Sequence, residues 1–279
     1  MFLIVLNDIS HANQLIHTGL FMPAGFFIFI FSQTLVIISR STMLLHTIEN
    51  QRNELLESQD LFERSRLGTI LGLAKLAEYR DQNTGAHLER IREYCRLLAV
   101  ELSKITEYSQ YITDRYINDL YQSAILHDIG KVGVPDSVLL NTGKLNEDEF
   151  KQIQQHTRIG GDAIQNIESR INMKTFLTLG KEIAYYHHEK WDGSGYPKGL
   201  KGYYIPLSAR ITAIADVYDA LTSERPYKNA FPHEKAVSII IEGRGTHFDP
   251  LLVDIFLNLK DEFKRISCSL QEDPQVPRS

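Results

Sequence analysis

Between Leu20 and Ile38 the chain reads LFMPAGFFIFIFSQTLVII, a run without a single formal charge. A helix of that length crosses a hydrocarbon core of about 30 Å. Ser32, Gln33 and Thr34 are compatible with such a span if they face protein or bond back to the helix. A secretory signal matches poorly: no basic residue precedes the run, it starts late, and no small-residue cleavage site comes after it. A buried helix of a soluble domain is the remaining alternative. No Lys or Arg occurs from Met1 to Ser39, whereas Arg40, Arg52, Arg64 and Arg66 lie beyond the span. The positive-inside bias therefore orients the long C-terminal part toward the cytoplasm. The expectation is a membrane segment over residues 1–43, with a lipid-facing transmembrane helix at about 20–38 and the C-terminal part of the chain on the cytoplasmic side.

Beyond the span the chain reads as helix. Ile48, Leu55 and Phe62 repeat every seven residues, with Leu45 three before Ile48 and Arg52, Gln59 and Arg66 at the other seam positions. This short, half-polar heptad predicts a signalling linker helix over 44–66. It either pairs with a second copy in a homodimer or lies on its own domain as a single amphipathic helix. From 67 to about 267 the pattern stays helical. Ile91, Tyr94, Cys95, Leu98 and Leu102 mark one stripe, and Ile211, Ile214, Ala215 and Tyr218 another. Asn146 with Glu149 reads as a capping pair. The segment from Trp191 to Pro206, WDGSGYPKGLKGYYIP, is a long Gly/Pro-rich loop whose aromatics argue against disorder. Residues 268–279 read as a disordered tail.

Composition adds exclusions. With 43% hydrophobic and 23% charged residues in 279, the chain is long enough for a self-sufficient core. A formal net charge of −5 gives no support for nucleic-acid binding. Cys95 and Cys268 are too few for a disulfide scaffold.

The chemistry concentrates in histidines and carboxylates. His87, His127, His156, His187 and His188 fall in the central part, three of them within HDIGK and HHE, and Asp216 sits in the apolar helix ARITAIADVYDAL. Singly, each reads as an ordinary hydrogen-bonded or surface side chain. Together, imidazoles mixed with carboxylates and no nearby thiolate suit Fe, Mn or Zn in a hydrolytic centre. A carboxylate beside a His can give one oxygen to each of two ions about 3.5–4 Å apart, which clamp a phosphate and share a hydroxide.

The runs LHDIGKVGVPDSVLL, QHTRIGGDAI, HHEKWDGSGYPKGLKGYYIPLSARITAIADVYDALTSERPYK and EGRGTHFDP, in this order from about Tyr79 to Phe256, strongly resemble the HD-GYP family. These are bacterial phosphodiesterases of the HD metal-hydrolase superfamily whose usual substrate class is cyclic di-GMP. The resemblance implies an all-α, HD-type helical bundle over 67–267 with a long GYP loop. It also implies two divalent ions, Fe or Mn first, with Zn, Mg or Ni as alternatives. His87, His127, Asp128 and Asp216 would surround one ion and His156, His187 and His188 the other, with Asp128 bridging. Lys131 would face the phosphate under attack, Asp81 would relay a proton, and Arg225 and Lys228 would grip the dinucleotide phosphates. Tyr196 would belong to a substrate-facing loop. That loop would also serve as a docking surface for a diguanylate cyclase (GGDEF) domain, or simply be a rigid element packed on its own helices.

Asn83 stands where some members carry a Glu that adds a third metal, so two ions are expected. The opening stretch NDISHANQLIHTGLFMPAGFFIFIFSQTLVIISRS also resembles the end of a seven-helix bacterial sensor domain. On that resemblance Met1 to Asn7 would close a preceding span, and the chain would be an N-terminally incomplete receptor. The implied function is a membrane-tethered phosphodiesterase yielding pGpG, with GMP as the alternative end product. The alternatives are a catalytically weak cyclic di-GMP receptor and an HD phosphohydrolase acting on another nucleotide.

Overall fold

The computed structural model of the chain describes residues 1–12, 22–80, 85–141, 143–171, 175–224 and 229–270. Asp81, Asn83, Arg225 and Lys228 lie outside the described residues, as does the tail beyond Leu270. Among the described residues the protein is helical, without a strand, as expected of the all-α class. In chain order the helices are α1 (Phe2–Ala12), α2 (Met22–Tyr79), α3 (Gly85–Leu102), α4 (Thr106–Ser109), α5 (Asp114–Ser123) and α6 (Asp136–Leu139). They continue with α7 (Glu147–Ile171), α8 (Leu177–Tyr186), α9 (Leu207–Thr222), α10 (His233–Glu242) and α11 (Pro250–Ser269). Short 3₁₀ turns occupy Ala124–Leu126, Ile129–Gly133 and Gly202–Tyr204.

The chain divides into two compact units, Met1–Arg66 and Leu67–Ser279. In the first, the side chain of Ile4 on α1 stands where a Cβ on Gly25 would go. From Phe26 to Ile38 the large apolar side chains are exposed, and the segment is long and apolar enough to cross a membrane. The hydroxyls within it do not face outward unpaired: Ser32 Oγ donates to the Phe29 carbonyl at 2.8 Å and Thr34 Oγ1 to that of Ile30 at 2.9 Å. The expected span and linker run together without a break, because no Gly or Pro interrupts the sequence between Phe26 and Leu67. Leu45, Ile48, Leu55 and Phe62 are all exposed.

The second unit has its main core between α3, α9 and α11. The two apolar stripes read from the sequence meet there: Ile91, Tyr94, Cys95, Leu98 and Leu102 face Ile211, Ile214, Ala215 and Tyr218, all fully buried. Tyr94 stacks on Phe263 at 4.4 Å between centroids, and Tyr218 meets both rings edge-on. A smaller cluster joins Ala74 of α2 and Leu88 of α3 to Ile125, Leu126, Ile164, Phe176 and Ala184. Both cysteines are free thiols, Cys95 buried and Cys268 exposed. One boundary moves. α11 continues through Cys268 to Ser269, two residues into the segment expected as tail, and Arg90 Nη1 holds its end by donating to the Leu270 carbonyl at 2.9 Å.

The opening of α7 has the expected reciprocal cap. Asn146 Oδ1 accepts from the backbone N–H of Asp148 and Glu149, while Glu149 Oε2 accepts from the N–H of Asn146 at 2.8 Å. This fixes the start of the helix that carries His156.

Candidate metal centre

The HDIGK turn and α7 approach one another closely because glycine allows it. A Cβ on Gly130 would lie 1.9 Å from the His156 carbonyl oxygen and 2.5 Å from the Gly160 nitrogen. No larger residue fits that contact. The approach brings Asp128, which precedes the turn, against His156. Asp128 Oδ1 lies 3.2 Å from His156 Nε2 and 3.6 Å from His187 Nε2. Its other oxygen, Oδ2, lies 3.3 Å from His127 Nε2 and 2.6 Å from Lys131 Nζ. The two oxygens of one carboxylate therefore serve two different groups of side chains.

Each of three imidazoles is aimed by its own local backbone. The Nδ1 atoms of His127, His156 and His187 lie 2.9, 2.6 and 2.9 Å from the carbonyl oxygens of Ala124, Ile153 and Ile183. A carbonyl only accepts, so Nδ1 carries the proton and Nε2 points inward. His87 is aimed differently, with Nδ1 2.7 Å from Asp219 Oδ2. Asp219 also takes Arg90 Nε at 2.5 Å and Nη2 at 2.9 Å. His188 packs 4.0 Å from the His187 ring and stacks on Tyr196 at 4.8 Å.

The inward-facing atoms have no hydrogen-bond partners. His87 Nε2, His127 Nε2, His156 Nε2, His187 Nε2, Asp128 Oδ1 and both oxygens of Glu78 are buried and unsatisfied. Leaving that many polar atoms unpaired in one place is costly, and a bound cation removes the cost. The potential ligands form two groups, Asp128 with His156, His187 and His188, and Glu78 with His87 and His127. Imidazole nitrogens and carboxylate oxygens without thiolate fit first-row divalent ions.

Burial and neighbouring charge shift the same groups in different directions. Burial alone would push His127 down, but the Asp128 carboxylate, helped by Asp216 and Glu78, holds its pKa up at about 9. Burial opposes ionisation of Asp128, yet Lys131 and His127 keep that carboxyl well below the usual range. Burial lowers His187, and burial with its imidazole neighbours lowers His188 strongly. Both are therefore neutral near pH 7, the form in which imidazole binds a metal. Asp219 is held far below the ordinary carboxylate range by Arg90 and His87 despite its burial.

The structure thus gathers His87, His127, Asp128, Lys131, His156, His187, His188 and Tyr196. Asp216 stands beside them, its Oδ1 4.0 Å from His127 Nε2, without joining either ligand group. The residues expected as proton relay and phosphate grip, Asp81, Arg225 and Lys228, lie outside the described residues. Glu78, Arg90 and Asp219 are neighbours of the centre that the sequence patterns do not single out, while Glu189, the last residue of HHE, joins neither ligand group. Glu189 folds the GYP loop back on itself, accepting from the Lys198 N–H at 2.7 Å and that of Leu200 at 2.9 Å. Gly195 completes the fold, since a Cβ there would lie 2.3 Å from the Lys190 nitrogen.

This arrangement has relatives. The HD domain family matches residues 73–252. The chain belongs to the HD domain family. This HD domain chain is 47% identical over 232 residues to a cyclic di-GMP phosphodiesterase of Vibrio cholerae, a match covering 83% of the chain and 46% of that protein. It is 39% identical over 213 residues to a 3'3'-cGAMP-specific phosphodiesterase of the same organism, covering 76% of the chain and 38% of the relative. The chain spans about half the length of the curated relatives it matches. Among solved structures, a cyclic GMP-AMP specific phosphodiesterase of V. cholerae superposes with a TM-score of 0.51 at 20% identity, over 74% of this chain and 51% of that one. That likeness shows the fold. The resemblance to HD-GYP proteins read from the sequence is borne out by these matches.

Proposed function

We propose that this HD domain protein is a membrane-tethered, metal-dependent phosphodiesterase that hydrolyses cyclic di-GMP to pGpG, with GMP as the alternative end product. The observation that carries this reading is the Asp128 carboxylate, whose two oxygens face two groups of buried, unpartnered ligand atoms. Two divalent ions, Fe or Mn first and Zn, Mg or Ni as alternatives, would supply Lewis acidity toward a phosphate oxygen and lower the pKa of a water. The chain's own residues do the rest. Asp128, His127, His156, His187 and His188 hold the ions, with His87 on the opposite side and Asp216 beside His127. The Lys131 ammonium, 2.6 Å from Asp128, stabilises charge developing on the phosphate. Asp81 moves a proton, and Arg225 and Lys228 hold the dinucleotide. Tyr196, stacked on His188, forms part of the wall the substrate meets.

The proposal extends to the rest of the chain. Residues 1–43 anchor it in the inner membrane, 44–66 pair it with a second copy, and the catalytic unit from 67 onward faces the cytoplasm. The GYP loop, with Tyr203 and Tyr204 at 71% and 85% exposure, offers a surface for a GGDEF domain.

The test is metal analysis of the full chain, purified anaerobically in detergent, with turnover measured on cyclic di-GMP and on 3'3'-cGAMP in parallel. Two ions per chain and turnover of cyclic di-GMP are expected. Preference for the mixed dinucleotide would reassign the substrate, and tight binding without turnover would replace the enzyme with a receptor.

A further inference from the structure

We infer that Glu78 is a metal ligand, supplying with His87 and His127 the carboxylate of the second ion position. This rests on the metal-dependent reading above and names a residue from outside the motifs that suggested it.

Glu78 lies on the last turn of α2, on a face it shares with Ala74 and Ala77, and all three are buried. Small neighbours at i−4 and i−1 let this face sit close against the catalytic unit. At 2% exposure, neither of its carboxylate oxygens has a hydrogen-bond partner. Burying a carboxylate with no hydrogen bond to either oxygen is costly even beside an opposite charge. Lys131 does not resolve it: its Nζ stands 3.9 Å from Glu78 Oε1, beyond hydrogen-bond reach, and 2.6 Å from Asp128 Oδ2. The atoms that do converge on Glu78 are ligands. One of its oxygens, a His87 nitrogen and a His127 nitrogen lie within 4.8 Å of one another. Both imidazoles have an unpartnered Nε2. Two imidazoles and one carboxylate around one point match the two-His, one-carboxylate set that holds first-row divalent ions with positions left open.

Two further features hold Glu78 in place. Arg80, two residues on, donates from Nη1 to the Val132 carbonyl at 2.6 Å and from Nη2 to that of Val134 at 3.1 Å. It thereby ties the end of α2 to the segment just after Lys131. His87 is locked by Asp219, so the ligand opposite Glu78 has a fixed direction.

The experiment uses the full chain and reads metal rather than activity alone. Glu78→Gln keeps the volume and removes the charge. The wild type should hold two ions per chain by mass spectrometry. The variant should keep one ion tightly, at Asp128, His156, His187 and His188. The affinity for the other, measured by chelator competition, should fall at least about tenfold, since even outer partners of metal ligands act on that scale. Two ions bound with wild-type affinity would overturn the assignment and leave Glu78 as a counter-charge to Lys131. A wild type that binds no metal would instead sink the function itself. Should the variant not fold, a crystal of the Mn-loaded wild type decides: a Glu78 oxygen within about 2.0–2.6 Å of an anomalous peak supports ligation, and one beyond hydrogen-bond distance from every peak rejects it.

Discussion

The two ligand groups of the candidate centre are built by different means. Around Asp128, the imidazoles of His156 and His187 are aimed by backbone carbonyls one helical turn upstream, so each helix orients its own side chain. In the other group His127 is aimed in the same way from Ala124, but His87 is aimed by a carboxylate 132 residues away, itself held by Arg90. The first arrangement is local and is fixed once the helix forms. The second exists only when α3 and α9 have packed, and it leaves a buried ion pair whose removal costs more than its formation gains. The contrast predicts that one half of the site withstands single substitutions in its support, and that the other does not.

Asp128 is the residue both halves share, and its loss should have the largest effect. Asp128→Ala should lower turnover of cyclic di-GMP by about a thousandfold or more, ~4 kcal/mol of barrier. It should also weaken metal binding at both positions, because Oδ1 faces His156 and His187 while Oδ2 faces His127. Loss of one ion with the second held at wild-type affinity would break the symmetry inferred from its two oxygens.

The same contrast explains what is legible in the sequence. HDIGK and HHE place donors next to one another in the chain, and a helical scaffold with a Gly/Pro-rich loop comes from local pattern. The stripes of α3 and α9 likewise announce the core, since periodicity is a local property. Asp219 does not stand out although it lies one turn beyond Asp216 in ADVYDAL, because its role depends on partners 129 and 132 residues distant. Glu78 carries a weak signal, a carboxylate on the same face as Ala74 and Ala77, but nothing local says that this face is buried. The continuity of span and linker is legible in the lack of Gly and Pro, and a boundary drawn on composition alone misses it.

Asp219→Asn tests the vulnerable half directly. Replacing the carboxylate weakens the hold on His87 and removes the negative charge that accepts from Arg90 Nε and Nη2. Affinity for the ion at Glu78, His87 and His127 should fall about 10–100-fold, as for other outer partners of ligating histidines. The other ion should be unaffected. Folding stability should drop by about 3–5 kcal/mol in a denaturant titration. An equal loss of affinity at both positions would mean that the halves are not separately supported.

The smallest effect is expected where the local half begins. Asn146 caps α7, ten residues ahead of His156, by accepting from two backbone N–H groups, with Glu149 returning the bond. Asn146→Ala removes one side of this pair and should cost about 1 kcal/mol. For a unit of this size that lowers the melting temperature by roughly 2–4 °C. His156 is aimed from Ile153, within the helix and well past its first turn, so fraying at the start should not reach it. Metal affinity at both positions should therefore stay at the wild-type value while the thermal midpoint falls. If weaker binding at the Asp128 group accompanied the lower midpoint, the orientation of His156 would depend on the whole length of α7 ahead of it, and the local half would be as conditional as the one that hangs on Asp219.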